Sequence, residues 1–408
     1  MAEFSVDPYV ELYARRTAGM SASEVRALFA VAARPEVVSL AGGMPYVQAL
    51  PPEDVLSVVE EVLRTRQAEA LQYGGGQGLP ELRARLAGLM AEEGAGADPE
   101  SIVVTGGAQQ ALDLIGKVFI DPGDEIVVEA PSYVGALSAF SAYEPRYVSI
   151  AMDDDGMIVE ELEEALVRGA RPKFVYTVPN FNNPAGVTLS LSRREHLVSI
   201  CREAGIPIVE DNPYGMLRFE GEPLPCLRTL DPENVIYLGT LSKVFSPGVR
   251  IGWVSAEPGV AQRLVQIKEA ADLCTSSFMQ LVSERYLAGD RWRDNLTTLV
   301  DAYRNRRDAM LSALDAHFPA GSSWTMPAGG FYVWATLPDY LDATSMLAAA
   351  VERRVAYVPG TAFYADGRGR DRMRLAFCYP TESEIEEGVR RLGTLLADEE
   401  TLYRSLNP

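Results

Sequence analysis

Residues 237–253 read YLGTLSKVFSPGVRIGW, and the rest of the chain is organised around them. The stretch holds Lys243, one of only four lysines in a chain that carries 33 arginines. Where lysine is this scarce, each survivor raises the question of what an ε-amine does that a guanidinium cannot. It can lose its proton and attack a carbonyl. Hydroxyl residues flank it (Thr240, Ser242, Ser246), and Pro247-Gly248 turns the chain toward Arg250, seven positions on. The pattern pairs a nucleophile with an anion-binding set, although alone it also fits a strand end with a solvated lysine.

Outward from this stretch the chain has an α/β rhythm. Short apolar runs (102–105, 125–129, 174–178, 206–210, 235–238, 251–255) alternate with helix-length amphipathic segments. Such alternation implies a largely parallel sheet covered by helices on both faces, with ligands at the C-terminal ends of the strands. The residue types at those ends matter most. The run ending at Thr105 exits into Gly106-Gly107-Ala108-Gln109-Gln110 and then a helical spacing, so glycines lead into a helix start whose unpaired N–H groups can hold a phosphate. Other exits offer Tyr133, Asn183 and the pair Asp211 and Tyr214. Taken singly, each reads as a loop residue. Jointly, an amine, an arginine, a phosphate-ready helix end, a carboxylate, an amide and tyrosines on one edge call for a ligand with a phosphate, a ring and an aldehyde.

Length and composition limit the alternatives. A chain of 408 residues implies about two domains. The formal net charge of −20 argues against nucleic-acid and anionic-membrane partners, which select for clustered Lys and Arg. No apolar run reaches the roughly 18 residues of a spanning helix, and the acidic N-terminal stretch MAEFSVDPYVELYARR lacks a signal-peptide core, so a cytoplasmic location is expected. Cys201, Cys226, Cys274 and Cys378 form no C-x-x-C pair and read as buried thiols, neither a disulfide frame nor a zinc site. His196 and His317 are isolated, which leaves acid–base work to Lys, Tyr or carboxylates. The loop Gly74-Gly75-Gly76-Gln77-Gly78 beside Tyr73 matches neither a P-loop nor a dinucleotide fingerprint, and Gly42-Gly43 marks a turn or a close backbone approach.

From about Ser21 to Leu395, the motifs SLAGGMP, LQYGGGQG, VVTGGAQQALDL, EAPSYVGAL, PNFNNPAGVTLS, VEDNPYG, YLGTLSKVFSPGVRIGW, PAGGFYVW and RMRLAFCYP follow in order. In that order and spacing the chain resembles the class I/II aminotransferases of the fold-type I pyridoxal-phosphate enzymes. More narrowly, it is similar to the branch of 2-aminoadipate and kynurenine aminotransferases, which also includes domains of some transcription regulators. The resemblance implies a large domain with a mostly parallel seven-stranded sheet over 51–290, a smaller α+β domain over 291–408, and an arm over 1–50 that reaches the substrate edge.

The resemblance also implies residue roles. Lys243 is the Schiff-base lysine and proton carrier, Asp211 partners the pyridinium nitrogen, and Asn183 and Tyr214 bond the ring's phenolic oxygen. Tyr133 stacks on the ring. Gly107, Ala108, Gln109, Thr240, Ser242 and Arg250 hold the phosphate, and Tyr73 reaches it from the second subunit of a homodimer with shared sites. Arg374 takes the substrate α-carboxylate bidentately, with Asn183 and Gly43 at the same edge, and Arg26 approaches a distal carboxylate. The implied reaction is ping-pong transfer of an amino group from an L-amino acid, with broad specificity, to 2-oxoglutarate or another 2-oxo acid. A β-lyase, decarboxylase or oxidase on the same scaffold reads identically at the cofactor. A non-catalytic sensing domain stands further off, because no helix-turn-helix module precedes the motifs and the Lys/Asp/Arg set is complete. Two departures bear on specificity: Ala185 stands where the family commonly has threonine, and Gly74-Gly75-Gly76 replaces a stiffer loop.

Overall fold

A computed structural model describes residues 7–19, 34 and 36–407. The helical spacing of Val25, Leu28, Phe29 and Ala32 predicts a helix over 23–33; that stretch, and with it Arg26, lies outside the described residues. In chain order the strands are β1 (Val38–Ser39), β2 (Ile102–Thr105), β3 (Glu125–Ala130), β4 (Arg146–Asp153), β5 (Gly156–Met157), β6 (Pro172–Thr177) and β7 (Ile208–Asp211), then β8 (Val235–Thr240), β9 (Gly252–Ser255), β10 (Ser323–Trp324), β11 (Tyr332–Thr336), β12 (Val355–Ala356), β13 (Val358–Pro359) and β14 (Arg372–Ala376).

The large sheet has the order β2-β9-β8-β7-β6-β3-β4-β5. Within it β8, β7, β6, β3 and β4 run parallel, and β9 is antiparallel to both its neighbours. Strands β2, β7, β8 and β9 are buried at every residue, which is why most of their positions are apolar in the sequence. The expected seven strands are present, and an eighth is added by the two-residue β5, which folds back antiparallel on β4 with Asp153 opposite Gly156. Of the seven, β4 has no counterpart among the apolar runs, because Arg146, Ser149 and Asp153 interrupt its pattern and most of its residues are only half-buried.

A second sheet, β10-β11-β14-β13, is antiparallel throughout. The arm forms a separate two-stranded sheet, β1 pairing in parallel with β12 and Leu40 N–H donating to Ala356 O at 2.8 Å, and it reaches β14 of the second sheet through Leu40 O, which accepts from Ala376 N–H at 2.7 Å. That register lays Ala41 to Gly43 along the end of β14 and between the two sheets. The helix Arg291–His317 packs against the closing helix Glu382–Leu406. The closing helix starts on a Thr381/Glu384 capping box and ends at Leu406. Its last turns contain no Gly or Pro to stop them, and Tyr403 stacks on Tyr340 at 4.5 Å. Cys274 is only partly buried, unlike the other three thiols. Among the described residues no helix is long and apolar enough to cross a membrane.

Candidate active site

The C-terminal ends of β2, β3, β6, β7 and β8 open into one cavity of about 860 Å³, closed on the far side by β11, β14 and the stretch around Gly43. Lys243, in the turn after β8, lines it. Its ammonium donates to Gly43 O at 3.2 Å and lies 5.1 Å from the centre of the Phe331 ring. Burial pushes its pKa down to about 8; the Cys378 thiol opposes this, while the Arg374 and Arg250 charges add to it. An amine in this range exchanges its proton readily near neutrality, as a nucleophile or base must. Gly43 has to be glycine, since a Cβ there would collide with the Tyr332 hydroxyl.

One end of the cavity is rich in amides. The helix Ala108–Phe119 starts from Gly107 at φ +91°, and the amides of Ala108 and Gln109 belong to its first turn, which has no acceptors of its own. Gly107 packs under the guanidinium of Arg250, where any Cβ would clash. Arg250 itself has φ +51°, a costly conformation for a residue with a side chain, and its Nη2 donates to Gly106 O at 2.9 Å. Thr240 and Ser242 complete this end, with the threonine hydroxyl donating to Ser242 Oγ at 2.9 Å.

Deeper in, Asp211 is 3% exposed, and its Oδ2 accepts from the Tyr176 hydroxyl at 2.9 Å. The other oxygen, Oδ1, is buried without any partner. Burial pushes this carboxyl up to about 6, against the pull of Tyr176. An orphaned buried acceptor is costly, so it marks a place where a cationic donor is missing. Tyr133 and Tyr214 also line the cavity. Burial, with the Asp211 charge adding, raises Tyr133 to about 12, and burial raises Tyr214 well above its usual value.

At the opposite end, Arg374 of β14 is 3% exposed. Nη1 donates to Asn183 Oδ1 at 2.8 Å and Nη2 to Ala41 O at 2.7 Å, while Nε has no partner. The guanidinium is sandwiched between Tyr332, at 4.2 Å, and Phe363, at 4.9 Å. Asn183 is held in turn by its neighbour: Asn182 Nδ2 donates at 2.6 Å to Glu129, a buried carboxylate that also accepts from the Thr177 hydroxyl and Val178 N–H.

Of the residues expected at the site, Gly43, Ala108, Gln109, Tyr133, Asn183, Asp211, Tyr214, Thr240, Ser242, Lys243, Arg250 and Arg374 line this cavity, and Gly107 lies just beneath it. Tyr73 does not. It is 78% exposed and is not among the residues lining its own chain's cavity. Three residues that the sequence reading passed over also take part: Tyr332 lines the cavity itself, while Tyr176 and Glu129 hold lining residues from behind. Tyr176 sits inside an apolar strand run and Tyr332 inside GGFYVW, so only their hydroxyls set them apart, and the contacts of a hydroxyl are set by the fold.

The donors and acceptors match pyridoxal 5'-phosphate group by group: amides and Arg250 for a phosphate, the orphan Oδ1 for a protonated ring nitrogen, aromatic faces for the ring, and an amine for the aldehyde. A sheet of this order with such a cavity defines a fold-type I pyridoxal-phosphate transferase. A family profile described as aminotransferase class I and II matches residues 35–392, and the chain belongs to that family as a pyridoxal-phosphate-dependent aminotransferase. The chain is 46% identical over 397 residues to aromatic-amino-acid aminotransferase 1 of Thermococcus litoralis, covering 96% of this chain and 95% of that one. It is 39% identical over 390 residues to the 2-aminoadipate transaminase of Thermus thermophilus, covering 95% and 96%. The crystal structure of Pyrococcus horikoshii kynurenine aminotransferase with PMP superposes with a TM-score of 0.92 at 43% identity, covering 95% of this chain and 98% of that one. The substrates of the family are an amino acid and a 2-oxo acid.

Proposed function

We propose that this aminotransferase accepts a broad range of L-amino acids, aromatic and neutral ones through the cavity alone and acidic ones with help from Arg26. The observation that carries the site assignment is that the Lys243 amine and the orphaned Asp211 Oδ1 open into the same cavity between the amide end and Arg374. Bound there, the cofactor supplies an aldehyde for the amino group and a ring that stores the electron pair released at the substrate's Cα.

The protein's own residues do the rest. Arg374 anchors the substrate α-carboxylate with its planar fork, and Asn183, already on Arg374, keeps that fork in register. Lys243 Nζ removes the Cα proton and returns it, a task suited to an amine whose pKa is about 8. Asp211 Oδ1 holds the proton on the ring nitrogen. Asn183 and Tyr214 offer donors to the ring's phenolic oxygen, Tyr133 covers the ring face, and Gly107, Ala108, Gln109, Thr240, Ser242 and Arg250 take the phosphate.

Specificity follows from what lines the remaining space. Among the described lining residues, the only cations are Lys243, Arg250 and Arg374, each already assigned. The outer wall is neutral, with Ser138, Ser141, Tyr147 and Tyr364. Relatives named for aromatic amino acids, 2-aminoadipate and kynurenine support one site serving several side chains. The exposure of Tyr73, with Leu71 and Leu273 also uncovered, supports a homodimer in which Tyr73 reaches the partner's phosphate. We retain an arm over 1–50, a large domain over 51–290 and a small domain over 291–408, and a cytoplasmic location.

The test is a panel of amino acids added singly, without 2-oxo acid, while the cofactor spectrum is followed. A single-turnover change reversed by 2-oxoglutarate, for aromatic, neutral and acidic donors alike, is the expected result. Arg26→Ala should then slow acidic donors about tenfold and leave aliphatic ones within about twofold; equal losses for both would remove Arg26 from the reading.

A further inference from the structure

Lysine scarcity leaves a second survivor to explain. Lys268, on the helix Pro258–Asp272, is fully buried and lies outside the cavity lining. Its ammonium donates to Asp272 Oδ1 at 2.9 Å. The other oxygen of Asp272 accepts from Gln110 Nε2 at 2.7 Å, and Gln110 Oε1 accepts the Gly106 N–H at 2.6 Å. On its far side, Gly106 O accepts from Arg250. The polarity of this run has one solution. A carboxylate takes only donors, so the Gln110 amide NH2 faces Asp272 and its oxygen faces Gly106.

We propose that Lys268, Asp272 and Gln110 are positioning residues for the phosphate cradle, holding the Gly106-Gly107 turn so that the Ala108 and Gln109 amides and Arg250 face the cavity before the ligand arrives. Two consecutive glycines, the second at φ +91°, form a turn with wide backbone freedom. Left loose, it would have to be ordered by each arriving phosphate; clamped on both the N–H and the C=O of Gly106, it is ready beforehand. Gln110 is the third residue of its helix and reaches back past the N-cap Gly107 to the Gly106 N–H, one residue further than a capping-box glutamine does, and it is itself oriented from a second helix. Lys268 is sealed while Asp272 keeps 29% of its side chain exposed, and an ion pair so placed adds little net stability of its own. A conformational role therefore accounts for Lys268 better than a stabilising one does.

The proposal rests on the amide end being the phosphate site, and the experiment separates the two. Equilibrium binding of pyridoxamine 5'-phosphate and of pyridoxamine, which lacks only the phosphate, is measured on the full-length chain and on Gln110→Leu, Asp272→Ala, their double variant and Arg250→Ala. Gln110→Leu and Asp272→Ala should each weaken pyridoxamine 5'-phosphate about tenfold and pyridoxamine less than about twofold. The double variant should lose no more than the worse single one, because the residues act in series. If both ligands weaken equally, or neither does, while Arg250→Ala still loses the phosphate ligand selectively, the positioning role is refuted and the phosphate site stands. If Arg250→Ala also leaves the ratio of the two ligands unchanged, the phosphate site itself falls, and the proposal with it.

Discussion

The two ends of the cavity are built in opposite ways. At the amide end, Thr105 of β2 and Thr240 of β8 both lie opposite Gly252 of β9, so the turns leaving these strands are neighbours within one sheet. At the arginine end, Arg374 bonds Asn183 across 191 residues and Ala41 across 333, joining the small sheet, a loop of the large one and the arm. The first end, apart from the partner subunit's Tyr73 that we propose reaches it, is assembled from neighbouring turns of one sheet. The second exists only while three separate pieces are docked, so it is the end that a relative movement of the sheets would open or close.

Substitutions that act on one end and spare the other test this contrast. Lys243→Ala, between the two, should remove turnover by about 10⁴-fold or more and leave pyridoxamine 5'-phosphate affinity within about threefold. A variant that kept near-normal turnover would end the assignment of Lys243. Arg374→Lys should lower kcat/KM about 100-fold for every amino donor with no change in cofactor affinity, because an ammonium cannot reproduce a fork already committed to Asn183 and Ala41. A loss confined to acidic donors would instead make Arg374 a side-chain ligand.

The next effect is one of stability. Burial raises Asp211 to about 6 from its ordinary 3.8, so its charge destabilises the cofactor-free fold as pH climbs, and stability present near pH 4 is lost through about pH 6. Asp211→Asn should therefore stabilise the cofactor-free chain by about 1–3 kcal/mol at pH 7.5, and much less at pH 4.5, while activity falls. Denaturant titrations at the two pH values decide it, and a gain that does not depend on pH would place its origin elsewhere. Smallest of the four, Tyr176→Phe should cost about tenfold in turnover and lower the ring-nitrogen pKa of bound cofactor read by nitrogen NMR; an unchanged nitrogen signal would reduce Tyr176 to packing.

The same contrast governs what could be read from the sequence. The amide end was legible because its residues lie close together along the chain: Gly106-Gly107 leads directly into a helix, and Lys243 and Arg250 share one turn. Arg374 carries no local mark, and only the resemblance of RMRLAFCYP to a family motif singled it out. The supporting layer was not legible at all. Tyr176 and Glu129 sit in strands whose neighbours are apolar, and their roles arise from partners 35 and 53 residues away. Strand β4 escaped for a related reason, since it lies toward the edge and its half-exposed residues do not form an apolar run. The central strands were plain because burial on both faces keeps most of their residues apolar, with a few buried polar groups among them.

The near-absence of lysine has a further consequence, for selectivity. Any protein that handles an aldehyde also exposes its own amines to it. Here Lys117 and Lys173 are exposed, Lys268 is sealed inside, and Lys243 waits in the cavity. An aldehyde supplied in excess thus meets a surface whose cations are almost all guanidinium groups, with few competing side chains on which to be trapped.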